Sequence, residues 1–372
     1  MRFAPSRALI DLNAYAANLK VIRQRIPEGC LLMPVIKANA YGHGAIAIAK
    51  KAIECGAGML AVACVEEGIA LREAGIDAPI LVTVQPLPDQ ALPAIEAGLR
   101  LVVGDTRSCE AYGDLARKAG KVATVHCKID TGMGRQGFAI ETALEDLRFL
   151  TRISHLDIEG VMTHLPGAEQ PNAAYEQEQL RTFKRFLADL NKEGIPYEVA
   201  HMANSAGVLN VPGSAFDFVR PGLLSYGVWP LTELPADNPV RPVLRWESRV
   251  IATRIIERGH PIGYGGQFTT PVRMPIAIVP VGYADGYPVA LSGKAEVLLR
   301  GKRCAVLGRV SMDQLVVDLR PVPDAQPGET VTLIGADGTQ TVTVEELAQK
   351  AGTIPWEILT RIGSRVERTY LD

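Results

Sequence analysis

Polar side chains stand at the ends of successive apolar runs in this chain. Lys37 ends the run 31–37, Lys128 and Asp130 end 124–130, His164 falls at the close of 158–165, His201 and Asn204 at the close of 197–204, and Arg220 near the end of 216–222. A lysine at the end of an apolar strand is partly desolvated, which favours its neutral amine and prepares it to form a Schiff base with an aldehyde. Read alone, Lys37 also fits an ion-pair partner, and a single histidine of this kind is more often a satisfied core residue than a functional one. The recurrence carries the weight, because parallel strands closed into a barrel bring all these ends to one active face.

The elements that must position them are legible as a rhythm. Runs at 31–37, 59–65, 79–84, 99–105, 124–130, 158–165, 197–204 and 216–222 are rich in Val, Ile and Leu, as doubly covered parallel strands require, and alternate with helical segments. In the helix expected over 175–193, Leu180, Phe183, Leu187 and Leu190 share one face, and Gly194 follows at the stop. About eight such units read as a (β/α)8 barrel of the TIM type; an open doubly wound sheet fits the same periodicity, which does not fix closure. Pro230, Pro235, Pro239 and Pro242 interrupt the rhythm, so the expected domains are a barrel over 1–235 and a mainly β C-terminal domain over 236–372. In the latter, strands are expected at 249–257, 275–282, 294–300, 303–310, 314–319, 329–334 and 339–344. Thr343 and Glu346 have capping-box spacing for a short helix to about Lys350.

Composition narrows the partner. The 39 basic and 41 acidic residues nearly cancel, favouring a small molecule over nucleic acid or an anionic membrane. The N-terminus lacks an apolar signal core and no apolar run approaches about 18 residues, so a cytoplasmic protein is expected. The six cysteines form no C-x-x-C pair and read as reduced, mostly buried thiols; no metal site is expected. Gly132-Met133-Gly134-Arg135-Gln136-Gly137 fits G-x-G-x-x-G, but it follows the fifth repeat rather than an opening βαβ unit, so dinucleotide binding is set aside.

The run Lys37-Ala38-Asn39-Ala40-Tyr41-Gly42-His43-Gly44 resembles the pyridoxal 5′-phosphate (PLP) attachment motif of alanine racemases. The resemblance continues in order through Lys128-Ile129-Asp130-Thr131-Gly132-Met133-Gly134-Arg135, Thr163-His164, His201-Met202-Ala203-Asn204-Ser205, Arg220-Pro221-Gly222, Gly263-Tyr264-Gly265, Gly282-Tyr283-Ala284-Asp285-Gly286 and Ser311-Met312-Asp313. It implies a homodimer with shared active sites, PLP on Lys37, and interconversion of L- and D-alanine, with D-alanine going to peptidoglycan. Lys37 and Tyr264, the latter from the partner chain, would be the two opposed acid/base groups. The resemblance also assigns His164, Arg220 and His201 to a hydrogen-bonded chain supporting the tyrosine, with Arg220 at the pyridine nitrogen. Tyr41, Asn204, Ser205, Gly222 and Leu223 would hold the cofactor with them. Arg135 would face the substrate carboxylate beside Lys128, which is carbamylated in some members. From the partner subunit, Met312 would approach the substrate carboxylate through its backbone N–H, and Tyr283 would line the entrance, to which Asp313 also belongs.

Two departures bear on specificity. Trp356 stands where many relatives have a phosphate-contacting tyrosine, and an indole offers only an N–H donor. Val289 stands where relatives commonly place an entrance arginine. Broader racemase specificity, toward serine or basic amino acids, is therefore the alternative substrate reading. A non-catalytic PLP-binding barrel would lack the β domain carrying Tyr264, Tyr283 and Met312, and a fold-related decarboxylase would place an acid where Arg220 stands.

Overall fold

The computed structural model describes residues 5–170 and 173–372. The chain forms two units, one of residues 15–40 and 45–241, the other of 5–14, 41–44 and 242–372.

In the first unit eight parallel strands follow one another around a barrel: Leu31–Leu32, Leu60–Val62, Ile80–Val82, Arg100–Val103, Ala123–Asp130, Leu156–Met162, Val199–Asn204 and Phe218–Arg220. Closure comes from the segment just past the first of them. Val35 bridges Ala61 in parallel, Ile36 N–H donates to the Ala61 carbonyl at 2.8 Å, and Ala61 N–H donates to that of Pro34 at 3.0 Å. Periodicity left an open sheet available, and these bonds decide for the barrel. Met33, Met59, Ala61, Leu81, Val102, Met162 and Phe218 form a buried cluster. Lys128, Asp130, Asn204 and Arg220 lie in the C-terminal halves of their paired strands and His201 in the middle of its own, whereas Lys37 and His164 fall beyond theirs.

The helix expected over 175–193 spans Ala174–Lys192 and buries Leu180, Phe183, Leu187 and Leu190. Its inward face also carries Gln179, whose amide donates to Thr131 Oγ1 at 3.1 Å and to the His164 carbonyl at 3.3 Å.

The second unit is built on a sheet whose first strand, Arg7–Asp11, runs antiparallel to Leu244–Arg249 and parallel to Glu367–Leu371. A strand at 7–11 was not expected from the pattern; its five residues are too few to show alternation against an otherwise unpatterned N-terminus. The expected helix forms with Thr343 as its cap: Thr343 Oγ1 accepts the Glu346 N–H at 3.0 Å, while the Glu346 carboxylate turns to Arg303 and Lys350 rather than back to the cap; the helix spans Val344–Ala351, and Gly352 ends it at φ +70°. Segment 41–44 belongs to this unit because its glycines admit close approach. A β-carbon on Gly42 (φ +81°) would collide with the Leu359 carbonyl, and one on Gly44 (φ +101°) with the Tyr370 hydroxyl.

Candidate active site

Lys37 follows the closing turn of the barrel, and its backbone is fixed on several sides. Val35 N–H donates to the Pro221 carbonyl at 2.9 Å, and Tyr226 Oη donates to the Val35 carbonyl at 2.9 Å. Directly after Lys37 the chain enters a left-handed turn, with Ala38, Asn39, Ala40 and Tyr41 at φ 51–54°. Left-handed geometry costs an L-residue about 1–2 kcal/mol, so four in succession require compensation. Three bonds supply it. Glu67 accepts the N–H of Ala38 at 2.6 Å through one oxygen and that of Ala63 at 2.8 Å through the other, while Asn39 Oδ1 accepts the Ala45 N–H at 2.8 Å. Glu67 escaped the sequence reading because, at the start of helix Val65–Glu73, it looks like an ordinary first-turn acid.

The side chains around Lys37 are mostly cationic. Burial, then the charge of Arg135, lowers its pKa below the ordinary lysine value; Glu67 opposes and Arg220 adds to the fall. Lys128 is buried, and burial followed by the charges of Arg135 and Arg220 brings it down to about 8, against the pull of Asp130. His164 is held well below its usual range by burial, then by Arg220, Lys128, Arg135 and Lys37. Lys37, Lys128, Arg135, His164 and Arg220 thus lie near enough to act on one another's charge, and Arg220 bonds His164 directly. A site so rich in positive charge is suited to an anionic ligand.

Arg220 is buried at the centre. It donates to His201 Nδ1 at 2.7 Å, to His164 Nδ1 at 3.1 Å, and to the carbonyls of Thr163 and Met202 at 2.8 and 2.9 Å. Burial lowers it to about 9, which leaves it a cation at neutral pH. Arg135 sits on a loop organised by Asp130, whose carboxylate accepts the N–H groups of Gly132, Met133 and Gly134 at 2.7–3.2 Å. Burial acts against that carboxylate, but the N–H donors prevail and hold it below its ordinary range. The glycine-rich run is thus an acid-centred turn, and Tyr175 Oη donates to the Gly132 carbonyl at 2.6 Å from the long helix.

Opposite chemistry gathers at the last strands. Ser205 Oγ accepts the N–H groups of Gly222 and Leu224 at 2.9 and 3.3 Å, bringing a hydroxyl and backbone amides to one point beside Leu223. Asn204 uses both ends of its amide within the protein: Oδ1 accepts the Gly207 N–H at 2.8 Å and Nδ2 donates to the Leu165 carbonyl at 3.1 Å. Tyr41, the last residue of the left-handed turn, is buried in the second unit, and its carbonyl accepts His43 Nδ1–H at 2.9 Å.

The remaining site residues of the sequence reading lie in the second unit. Tyr264, Tyr283 and Met312 are 70, 45 and 52% exposed. Their loops are neighbours. Tyr283 and Ala284 donate to the carbonyls of Ser311 and Met312, both at 3.1 Å, and a β-carbon on Gly308 would come within 2.6 Å of the Ile262 carbonyl, two residues before Tyr264. Asp313 is engaged by Arg365 at 2.8 Å, and Arg365 also reaches Asp285 at 3.2 Å. Trp356 is half-buried in the helix Pro355–Thr360, and Val289 lies in a short 3₁₀ turn.

With this geometry in place, comparison with known proteins identifies its kind. Residues 10–230 match the alanine racemase N-terminal domain model and residues 243–370 the C-terminal one. A Symbiobacterium thermophilum alanine racemase is 44% identical over 369 residues, covering 98% of this chain and 97% of that protein. Among solved structures, a Bacillus anthracis alanine racemase with bound L-Ala-P superposes with a TM-score of 0.95 at 34% identity, covering 100% of this chain and 96% of that one. A Bartonella henselae alanine racemase with covalently bound pyridoxal phosphate gives 0.88 at 30%, covering 99% and 100%. The chain is therefore an isomerase built on a barrel and a mainly β domain. It belongs to the alanine racemase family.

Proposed function

We propose that this protein interconverts L- and D-alanine, with PLP held on Lys37 and with Lys37 and Tyr264 as opposed bases. The observation that carries the reading is Arg220 hydrogen-bonded to both His164 and His201 at the strand ends, with Lys37, Lys128 and Arg135 near enough to act on His164 through their charge. The residues fit the cofactor chemically. The Ser205 hydroxyl and the amides at Gly222 and Leu223 suit its phosphate, with Asn204 positioning Ser205 through the helix it caps. Arg220 suits the ring nitrogen as a donor that retains its own proton. PLP, when bound, supplies an electron sink for charge developing at Cα.

The chain's own groups do the rest. Lys37 moves the Cα proton on one face through Nζ, aided by surroundings that favour its neutral form. Arg135, beside Lys128, orients the substrate carboxylate. Tyr264 of a second copy serves the other face, supported by His164, and the exposed group Tyr264, Tyr283 and Met312 forms the surface that a homodimer would carry into the neighbour's site, with Asp313 at its entrance. In this reading residues 1–235 carry the cofactor and 236–372 complete the partner's site. We place the protein in the cytoplasm, consistent with its six free cysteines, supplying D-alanine for peptidoglycan. Among the described residues no helix is long and apolar enough to cross a membrane.

The test is incubation with L-alanine in D₂O followed by chiral chromatography and mass spectrometry. Both enantiomers should appear with deuterium at Cα. Deuteration with retained L configuration would refute the proposal. Borohydride reduction should fix the cofactor to the Lys37 peptide, and a label elsewhere would refute that assignment.

A further inference from the structure

The contacts of Arg220 do not end at His201. Beyond it a hydrogen-bonded line crosses the barrel interior: His201 Nε2 lies 2.7 Å from His126 Nδ1, and His126 Nε2 lies 2.8 Å from Glu159 Oε2. Arg100 closes the line, its guanidinium donating to both Glu159 oxygens at 3.2 Å. The five residues stand on the strands Phe218–Arg220, Val199–Asn204, Ala123–Asp130, Leu156–Met162 and Arg100–Val103, and both imidazoles are fully buried. Room for one of them is built in: a β-carbon on Gly160, which pairs in register with His126, would collide with the His126 ring.

Proton positions along this line follow from its two ends. A guanidinium only donates, so His201 Nδ1 must accept from Arg220. Burial pushes both histidines below their ordinary range, so each carries a single ring proton. His201 therefore bears it on Nε2 and donates to His126 Nδ1. His126 in turn bears its own on Nε2 and donates to Glu159, a carboxylate that only accepts. Burial works against Glu159, but the bonds from His126 and Arg100 prevail and hold it near 2, ionised at any working pH. The opposite set of tautomers would set an N–H of His201 against an N–H of Arg220 in the interior, two donors without an acceptor.

We propose that Glu159 fixes the tautomers of His126 and His201 and thereby holds His201 Nδ1 as a lone-pair acceptor that positions Arg220. Glu159 and His126 are positioning residues, and their effect on turnover rests on the reading of Arg220 as the group at the cofactor ring.

The experiment uses the holoenzyme labelled with ¹⁵N-histidine; with six histidines in the chain, long-range ¹H–¹⁵N correlation resolves the tautomer of each. In the wild type His126 and His201 should both be Nε2–H. In Glu159→Gln the one amide oxygen goes to Arg100 and the NH₂ faces His126, so the line meets a donor at each end and the uniform Nε2–H pattern should break, with Nδ1–H appearing at one histidine or both. The kcat should then fall about ten- to a hundredfold with the KM for alanine nearly unchanged. Glu159→Asp, which retains a carboxylate, should recover Nε2–H. Should Glu159→Gln not fold, His126→Phe serves: His201 should lose its single tautomer and kcat should fall likewise. An Nδ1–H tautomer at either histidine in the wild type overturns the proposal. So does a variant with unaltered tautomers or unaltered kcat. If the wild type shows the expected tautomers but racemises nothing, it is the functional reading that fails instead.

Discussion

The carboxylate of Glu67 holds the backbone N–H of Ala38 at 2.6 Å, one residue beyond Lys37. It is the polar counterweight to a left-handed turn that aims the lysine, and its charge also supports the protonated form of Lys37. Glu67→Ala should cost about 1–3 kcal/mol of stability, because two backbone donors lose their acceptor. It should also shift the Lys37 pKa further down. Denaturant unfolding gives the first quantity, and the pH dependence of cofactor capture at Lys37 gives the second.

Ala38 itself offers a test of the turn with opposite signs. It is exposed and sits at φ +51°, where glycine is unstrained and a β-branched residue is not. Ala38→Gly should stabilise the protein by up to about 1 kcal/mol, and Ala38→Val should destabilise it by more than about 1 kcal/mol. Thermal melts of the pair would reveal whether strain resides there; equal shifts would contradict it.

Lys128 should impose a pH dependence. Its pKa is about 8 in the folded chain and near 10.4 when unfolded, so the folded state holds fewer protons between those values. Below about pH 8 the buried charge is destabilising, and this penalty is lost as pH rises toward 10. Lys128→Met should therefore be more stable than the wild type at pH 7, with the advantage shrinking as pH rises to 10. A difference that is flat with pH would show that Lys128 does not titrate as its burial dictates.

The shared site can be tested by mixing. Lys37→Ala and Tyr264→Phe chains should each be nearly inactive, and heterodimers formed from the two should regain one intact site of two. Activity after mixing and refolding should approach about a quarter of wild type if exchange is statistical, half the dimers being mixed and each carrying one site. No recovery, with mixed dimers verified by mass spectrometry, would count against a tyrosine donated across the interface.

Much of the site was legible because it lies at strand ends. Lys37, Lys128, His164, His201 and Arg220 announced themselves as polar residues closing apolar runs, and a barrel brings such ends together whatever its loops do. What escaped lies in two places. The left-handed turn has no local signature, since Ala38 and Ala40 are poor residues for that geometry and adopt it only under tertiary constraint. His126 was hidden inside an apolar strand, although its spacing from Lys128 and Asp130 puts all three on one face of the run, a signal that was there to be read. In the C-terminal half the strands were visible one by one. The incorporation of 5–14 and 41–44 into that unit was not, because it depends on pairings hundreds of residues apart.

That last pairing has a consequence for how the chain is made. Arg7–Asp11 leaves the ribosome more than two hundred residues ahead of Leu244–Arg249 and further still ahead of Glu367–Leu371, its two partners. At ordinary rates of synthesis the opening strand waits on the order of tens of seconds with its edges bare. The strands of the barrel, by contrast, arrive in spatial order, each next to the neighbour it pairs with.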